Sequence, residues 1–207
     1  MDTDGHAAAA RLAPVIGDDF YLAGGTALAL RHGHRVSLDL DLFSATEKLY
    51  EPRRISLIGG LKTSGRVTVA ESADGTLHLR LAGTPVSLFH YPYPLCRPFS
   101  PWSGIPVAAD LDIAAMKLSA IVGRGSRKDF LDLYWICRKT GLKAALDVAQ
   151  VKFRDHPDFL LQAARALVYF EDADREPAPR LLLPISWRKV RSYFESEAPK
   201  VLRERLR

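Results

Sequence analysis

Two carboxylates, Asp39 and Asp41, follow the tripeptide Gly24-Gly25-Thr26 after a short apolar stretch, and these residue types at this spacing have a definite chemistry. From Arg35 the residues alternate, with Val36, Leu38, Leu40 and Leu42 on one face and Ser37, Asp39, Asp41 and Phe43 on the other. A strand of that pattern aims both carboxylates the same way, roughly 7 Å apart along the backbone, which suits one or two shared divalent cations. Gly24 and Gly25 have no Cβ. The chain can turn sharply there, and a phosphate can approach the N–H groups that open the next helix. Thr26 is placed to cap that helix or to touch the phosphate. Together the parts suggest a nucleoside triphosphate held at a helix start, with Mg²⁺ on Asp39 and Asp41.

The elements that position these residues read as strand, turn, helix, strand. Phe20–Ala23 is a short apolar run, Thr26 opens a helical stretch, and His32-Gly33-His34 closes it. A Gly-Gly before a helix is ordinarily a turn, and an isolated D-x-D is common on exposed strands. The specificity lies in their order, G-G-T, helix, then R-x-S-x-D-x-D-L-F, in one unit. That combination resembles motif I of the polymerase β-type nucleotidyltransferase superfamily. Within it, GGTALALRHGHRVSLDLDLFS is most similar to the AbiEii/AbiGii toxin family of minimal nucleotidyltransferases. The resemblance implies a nucleotide site that includes Gly24, Gly25, Thr26, Arg35 and Ser37, with Asp39 and Asp41 as catalytic metal ligands for Mg²⁺ or Mn²⁺.

A second stretch, D-I-A-A-M-K-L-S-A-I-x-x-R-G-x-R-K-D-F-L-D-L-Y from Asp112 to Tyr134, resembles the later motifs of the same family. Helical spacing makes Asp129 and Asp132 neighbours and puts Lys128 within reach of Asp132 at i+4, the pattern also of an ordinary surface ion-pair network. The resemblance implies that Lys117 contacts the triphosphate and that Arg124 or Lys128 neutralises it. It also implies that Asp129 acts as a base or orients a basic residue, and that Asp132 supports this arrangement. Asp110 and Asp112, at a helix start, read as capping and dipole partners. One departure stands out. Relatives often carry V-D-F before a Y-P-Y-P segment, supplying a third carboxylate, whereas this chain has Val86-Ser87-Leu88. Serine is a poor general base and a weak Mg²⁺ ligand.

Fold class follows from the rest of the pattern. Val67–Glu71, Thr76–Leu81 and Pro85–Tyr91 alternate as consecutive hairpin strands that extend the sheet holding Asp39 and Asp41. Tyr91–Pro106 carries five prolines and reads as an extended connector, its aromatics either packing on the core or stacking on a base. Beyond Asp112 the chain reads as helices, closing with one around Trp187–Phe194. The expected architecture is α/β (α+β), and the resemblance implies a polymerase β-like minimal nucleotidyltransferase fold. Residues 1–106 form a small mixed sheet with helices, and a helical C-terminal half, 107–207, completes the nucleotide cleft.

Composition excludes several classes. No run of eighteen apolar residues spans a membrane, and MDTDGH has acids where a signal peptide has bases, so a cytoplasmic protein is expected. Cys96 and Cys137 lie in no metal-binding spacing, and His32-x-His34 sits at a helix end where a turn role outweighs a metal. Net charge is +5, and residues 188–207 hold seven basic and three acidic residues, a tail suited to a phosphate backbone or to a solvated helix face. The family resemblance implies Mg-dependent transfer of a nucleoside monophosphate from a triphosphate to RNA, a transfer RNA 3′ end foremost, or to a protein. The resemblance implies a toxin with a cognate antitoxin. Ser87 motivates one alternative, a catalytically impaired nucleotide- or RNA-binding protein; another is a partner-regulated component, inactive alone because an antitoxin covers its cleft.

Overall fold

The computed structural model describes residues 3–205 and divides into two compact units. The first comprises the chain through His32, Val36–Pro94 and Pro98–Ala108. The second comprises Gly33–Arg35, Leu95–Arg97 and the chain from Ala109 on. Leu206 and Arg207, part of the expected basic tail, lie outside the described residues.

The first unit is built on a seven-stranded mixed sheet. Its strands are β1 (Tyr21–Ala23), β2 (Leu40–Ser44), β3 (Val67–Ala73), β4 (Thr76–Leu81), β5 (Thr84–His90), β6 (Ser100–Trp102) and β7 (Ile105–Val107), in the order β3-β4-β5-β2-β1-β7-β6. The pairs β2–β5 and β1–β7 are parallel and the others antiparallel. Period-two patterning sorts its faces. Leu22, Leu42, Leu88 and Leu77 align across four strands on one face and are fully buried, while Asp41, Ser87 and His78 align on the other. Helices α1 (Thr3–Ile16) and α3 (Glu51–Thr63) pack on each other and reach β5 and β3, burying Leu12, Ile16, Leu57 and Leu61. Helix α2 (Gly24–His32) follows β1 without a loop and packs on β1 and β2.

The sheet departs from its expected outline in two places. Strand β2 begins at Leu40, one residue after Asp39, because Leu38 turns to solvent (54% exposed) and breaks the alternation. The proline-rich connector contains the hairpin β6–β7, whose turn places Ser103 and Gly104 at φ of 49° and 77°, the left-handed pair a two-residue hairpin requires. Pro101 faces Pro106 across it, and β6 is an edge strand, where a missing N–H costs no ladder bond to a further strand.

The second unit is helical: α4 (Asp110–Gly123), α5 (Arg127–Thr140), α6 (Leu142–Lys152), α7 (Phe159–Ala166), α8 (Glu171–Arg175) and α9 (Trp187–Arg205). Gly141 ends α5 at φ 81°, its N–H bonded to the Cys137 carbonyl at 2.7 Å. Phe130 lies at the centre of an aromatic cluster, 5.1 Å from Phe170, 5.9 Å from Trp187 and 5.7 Å from Phe194 between ring centroids. Asp112 does not cap α4. It lies in the first turn, fully buried, and accepts the N–H groups of Cys96 and Arg97 and the Lys152 ammonium, each at 2.9 Å. It therefore anchors the short Leu95–Arg97 segment, a role for which its i, i+2 spacing from Asp110 carries no signal.

Candidate active site

In the first unit the β1–α2 junction holds the two carboxylates. Gly24 has φ +69°, a backbone that favours glycine, and a Cβ there would sit 3.2 Å from Asp41 Oδ2, close enough that the carboxylate would have to give by a few tenths of an ångström. Gly25 and Thr26, both buried, complete the first turn of α2, whose opening N–H groups have no partner within the helix itself. Thr26 neither caps that helix nor is open to a phosphate. At 1% exposure, its hydroxyl donates to the Asp39 carbonyl at 2.5 Å and lies 3.3 Å from Asp39 Oδ1. Ser37 donates to the same Oδ1 at 3.0 Å. Two hydroxyls therefore fix Asp39 from opposite ends of the segment, which is how a carboxylate outside the strand is held in place.

Asp41 lies in β2 and pairs in register with Ser87 on β5, the position at which the resemblance places a third carboxylate. Ser87 in turn pairs with His78 on β4, its Oγ 2.9 Å from His78 Nδ1. His90, the basic side chain of β5, bonds the Glu47 carbonyl at 3.1 Å. Beside this row Tyr21, Phe43 and Phe89 stack on successive strands, with centroids 6.1 and 5.3 Å apart, and Tyr91 meets Phe43 edge-on at 5.6 Å. Tyr91 thus packs against the sheet, as does Tyr93 against it at 4.8 Å.

Asp39 and Asp41 are hard oxygen donors, and among the described residues no group of three or more His, Cys, Asp or Glu gathers for a metal. Two carboxylates and the missing Cβ of Gly24 beside Asp41 suit Mg²⁺ or Mn²⁺, which is bound through one or two carboxylates and completed by substrate or water oxygens.

The second unit holds the remaining residues of the sequence motifs in a buried ion-pair network. Lys117, 7% exposed on α4, reaches Asp129 and Asp132 on α5, both at 2.8 Å and both fully buried. Asp132 also receives Arg35 through two nitrogens, at 2.7 and 2.8 Å, and His34 Nε2 at 2.8 Å. Lys128 is exposed and does not make the expected i+4 pair, because Asp132 turns inward to Lys117, Arg35 and His34. Asp129 accepts Ser126 Oγ at 2.6 Å and Arg124 Nε at 3.3 Å. Burial opposes every charge here but the opposed charges prevail. Burial lowers the Lys117 pKa, and Asp132 and Asp129 more than offset it, leaving the ammonium above its ordinary value. Burial likewise acts against both carboxylates, yet Lys117 and the hydrogen bonds hold Asp129 below, and Asp132 well below, the usual range. Arg124 lines a pocket of about 620 Å³ with Gly123, Gly125, Gln162, Arg165 and Tyr169.

Sequence reasoning assigned His34 to a turn; it is a buried partner of Asp132 with its ring edge toward Trp135 at 5.8 Å. It also missed His78. The alternating T-L-H-L-R-L of β4 puts His78 on the polar face, but only the inter-strand register places it beside Ser87.

With this geometry in view, the likeness to known proteins is decisive on family. The family described as "Nucleotidyl transferase AbiEii toxin, Type IV TA system" matches residues 9–93 and 80–206. The chain belongs to the AbiEii nucleotidyltransferase toxin family. It is a nucleotidyltransferase by that membership. An uncharacterized protein of Aquifex aeolicus (strain VF5) is 40% identical over 191 residues, covering 89% of each chain. The solved structure of MenT4, a nucleotidyltransferase toxin from Mycobacterium tuberculosis H37Rv, is similar with a TM-score of 0.55 at 17% identity, over 98% of this chain and 88% of that one. The antibiotic-resistance factor ANT(2″)-Ia is similar with a TM-score of 0.57 at 15% identity, over 80% of this chain and 99% of its own. These likenesses establish the fold, a mixed α/β nucleotidyltransferase fold. No helix among the described residues is long and apolar enough to cross a membrane.

Proposed function

We propose that this AbiEii-family chain transfers a nucleoside monophosphate from a nucleoside triphosphate to a hydroxyl of RNA, with the 3′ end of transfer RNA as the leading acceptor, and that it acts as the toxin of a toxin–antitoxin pair. The observation that carries the proposal is the opening of α2 against the sheet: a Cβ on Gly24 would stand 3.2 Å from the Asp41 carboxylate, and Asp39 is held by Thr26 and Ser37. Asp39 and Asp41 would hold Mg²⁺, which when bound supplies charge neutralisation on the triphosphate and on the departing pyrophosphate.

The chain's own groups do the rest. The first N–H groups of α2, from Gly24 and Gly25, offer donors to a phosphate oxygen. Thr26 and Ser37 keep Asp39 from rotating away as charge on the ligand changes, so little reorganisation accompanies the reaction. For the second unit we propose that Arg124 and Lys128, both exposed, take phosphate charge, that Asp129 orients Lys117, and that Asp132 and Arg35 hold this network in shape. Arg188 and Lys189, exposed at the start of α9, and the net charge of +5 favour RNA over a protein as acceptor.

The test is incubation of the protein with Mg²⁺, each α-³²P-labelled nucleoside triphosphate and total bacterial RNA, beside Asp39→Asn and Asp41→Asn. Label in RNA with the native chain alone supports the proposal and names the nucleotide. Label in protein instead of RNA would correct the acceptor. A native chain that binds the triphosphate but labels nothing would contradict the transfer.

A further inference from the structure

The polar face of the sheet carries a second chemical feature beyond the two aspartates. Four ionisable or hydroxyl side chains occupy one register row across four adjacent strands: Glu71 on β3 pairs with His78 on β4, His78 with Ser87 on β5, and Ser87 with Asp41 on β2. Neighbours in such a row lie about 5 Å apart and project from the same face of the sheet. Contacts run along it. Ser87 Oγ is 2.9 Å from His78 Nδ1, and His78 Nε2 is 4.0 Å from Glu71 Oε2. The Glu71 carboxylate faces Nε2 beyond hydrogen-bond distance, and with the ring proton on Nε2 the Nδ1 lone pair accepts the Ser87 hydroxyl. Phe89 lies edge-on to the imidazole at 5.3 Å. Arg80, two residues along β4, turns its guanidinium to the Gly83 carbonyl at 3.0 Å. The charged group facing His78 is therefore Glu71, and its hydroxyl partner is Ser87.

We propose that Ser87 and His78 replace the missing third carboxylate as the proton acceptor of the transfer reaction, with Glu71 facing the ring. This rests on the nucleotidyl-transfer reading above. As the acceptor hydroxyl oxygen forms its bond to the α-phosphorus, the bond from that phosphorus to the bridging oxygen of pyrophosphate breaks and pyrophosphate leaves with the electron pair. The hydroxyl proton passes to Ser87 Oγ while the Ser87 proton passes to His78 Nδ1, and the imidazolium formed faces Glu71. Serine alone is too weakly basic for this step; serine backed by an imidazole is not. Ser87 is the group that meets the acceptor, and His78 is where the proton rests.

The experiment compares the native chain with His78→Gln, Ser87→Ala, the double variant His78→Gln/Ser87→Asp, and Asp39→Asn as reference. It measures kcat with pH and triphosphate affinity by titration, using the nucleotide and RNA that the native chain labels. The expected result is a fall in kcat of about 100-fold or more for His78→Gln, within the range of general-base losses, with triphosphate affinity changed less than about twofold. The acid limb of the native pH profile disappears in that variant. The Ser87→Asp change, which restores a carboxylate beside Asp41, recovers at least about a tenth of native kcat. Independently of turnover, ¹⁵N-histidine spectra of the native chain show His78 as the Nε2–H tautomer and shift in Ser87→Ala.

His78→Gln at native kcat, while Asp39→Asn is inactive, overturns this inference and leaves the transfer reading standing. So does a loss that the new carboxylate fails to restore, or an Nδ1–H tautomer. A native chain that transfers nothing overturns both.

Discussion

Replacing Lys117 by methionine separates a lysine that braces the second unit from one that is available to a ligand. Its ammonium makes 2.8 Å contacts with Asp129 and Asp132, both fully buried, and is itself almost fully buried. Methionine fills similar volume but leaves both carboxylates with less compensation. Removing one partner of a buried pair costs about 3–5 kcal/mol. Asp132 keeps the two-nitrogen contact from Arg35 and the His34 bond, and Asp129 keeps Ser126 and the exposed Arg124, so the loss belongs at the lower end, about 3 kcal/mol at pH 7.

The pH dependence has a definite sign. Asp129 and Asp132 have depressed folded pKa values, so their contribution is present above the unfolded carboxylate value, about 3.9, and is lost as pH falls through the folded values. Lys117 has a raised folded pKa, so its contribution is full below the unfolded value of about 10.4 and is lost as pH rises through the folded one. The difference between native and Lys117→Met is therefore at full size from about pH 4 to pH 8 and narrows below about pH 4, as Asp129 and Asp132 take up protons. Urea unfolding followed by circular dichroism from about pH 2 to pH 8 measures it. A difference below about 1 kcal/mol at pH 7, or one that does not narrow below about pH 4, would refute the buried-network account and return Lys117 to the role of a phosphate contact.

Three further outcomes follow from the site. Gly24→Ala and Gly17→Ala both place alanine at positive φ, +69° and +60°, costing roughly 1–2 kcal/mol each. Only at Gly24 does the new Cβ meet Asp41, whereas nothing lies within 4 Å of Gly17, so Mn²⁺ binding measured by electron paramagnetic resonance falls about tenfold or more in the first variant and not in the second. Thr26→Val keeps the shape but removes the donor to Asp39, lowering stability by about 1–2 kcal/mol in urea titration and weakening Mn²⁺ binding; unchanged Mn²⁺ affinity would mean that Thr26 does not position Asp39. Burial pushes the Cys137 thiol up to about 12, leaving on the order of one thiolate in 10⁴ at pH 8. A chromogenic disulfide reagent therefore reaches Cys137 only after unfolding, and rapid reaction of both cysteines in the native protein would contradict its burial.

The sheet strands were legible where one face alternates, as in Thr76–Leu81, because burial of Leu77, Leu79 and Leu81 imposes period two. The same rule overreached at Leu38, whose apolar side chain faces solvent. Asp39 consequently stands before the strand and depends on Thr26 and Ser37, a tie between residues 13 positions apart that no periodicity encodes. The β6–β7 hairpin was hidden by its prolines, which an edge position tolerates. The motif Lys117, Asp129 and Asp132 was visible in the sequence as a set of charges. That Asp132 turns inward to Arg35 and His34 depends on residues almost 100 positions away. His78 was unreadable as a partner of Ser87 for the same reason: strand alternation gives a side chain its face, whereas its neighbour comes from register with another strand.

The most direct test of the metal-dependent transfer is pyrophosphate release, measured against Mg²⁺ concentration with the labelled nucleotide and RNA, for the native chain, Asp39→Asn and Asp41→Asn at matched urea stability. The account predicts saturable Mg²⁺ dependence in the native chain and a loss of at least about 100-fold in each variant. Pyrophosphate release at the native rate by either variant, with its fold intact, would contradict it.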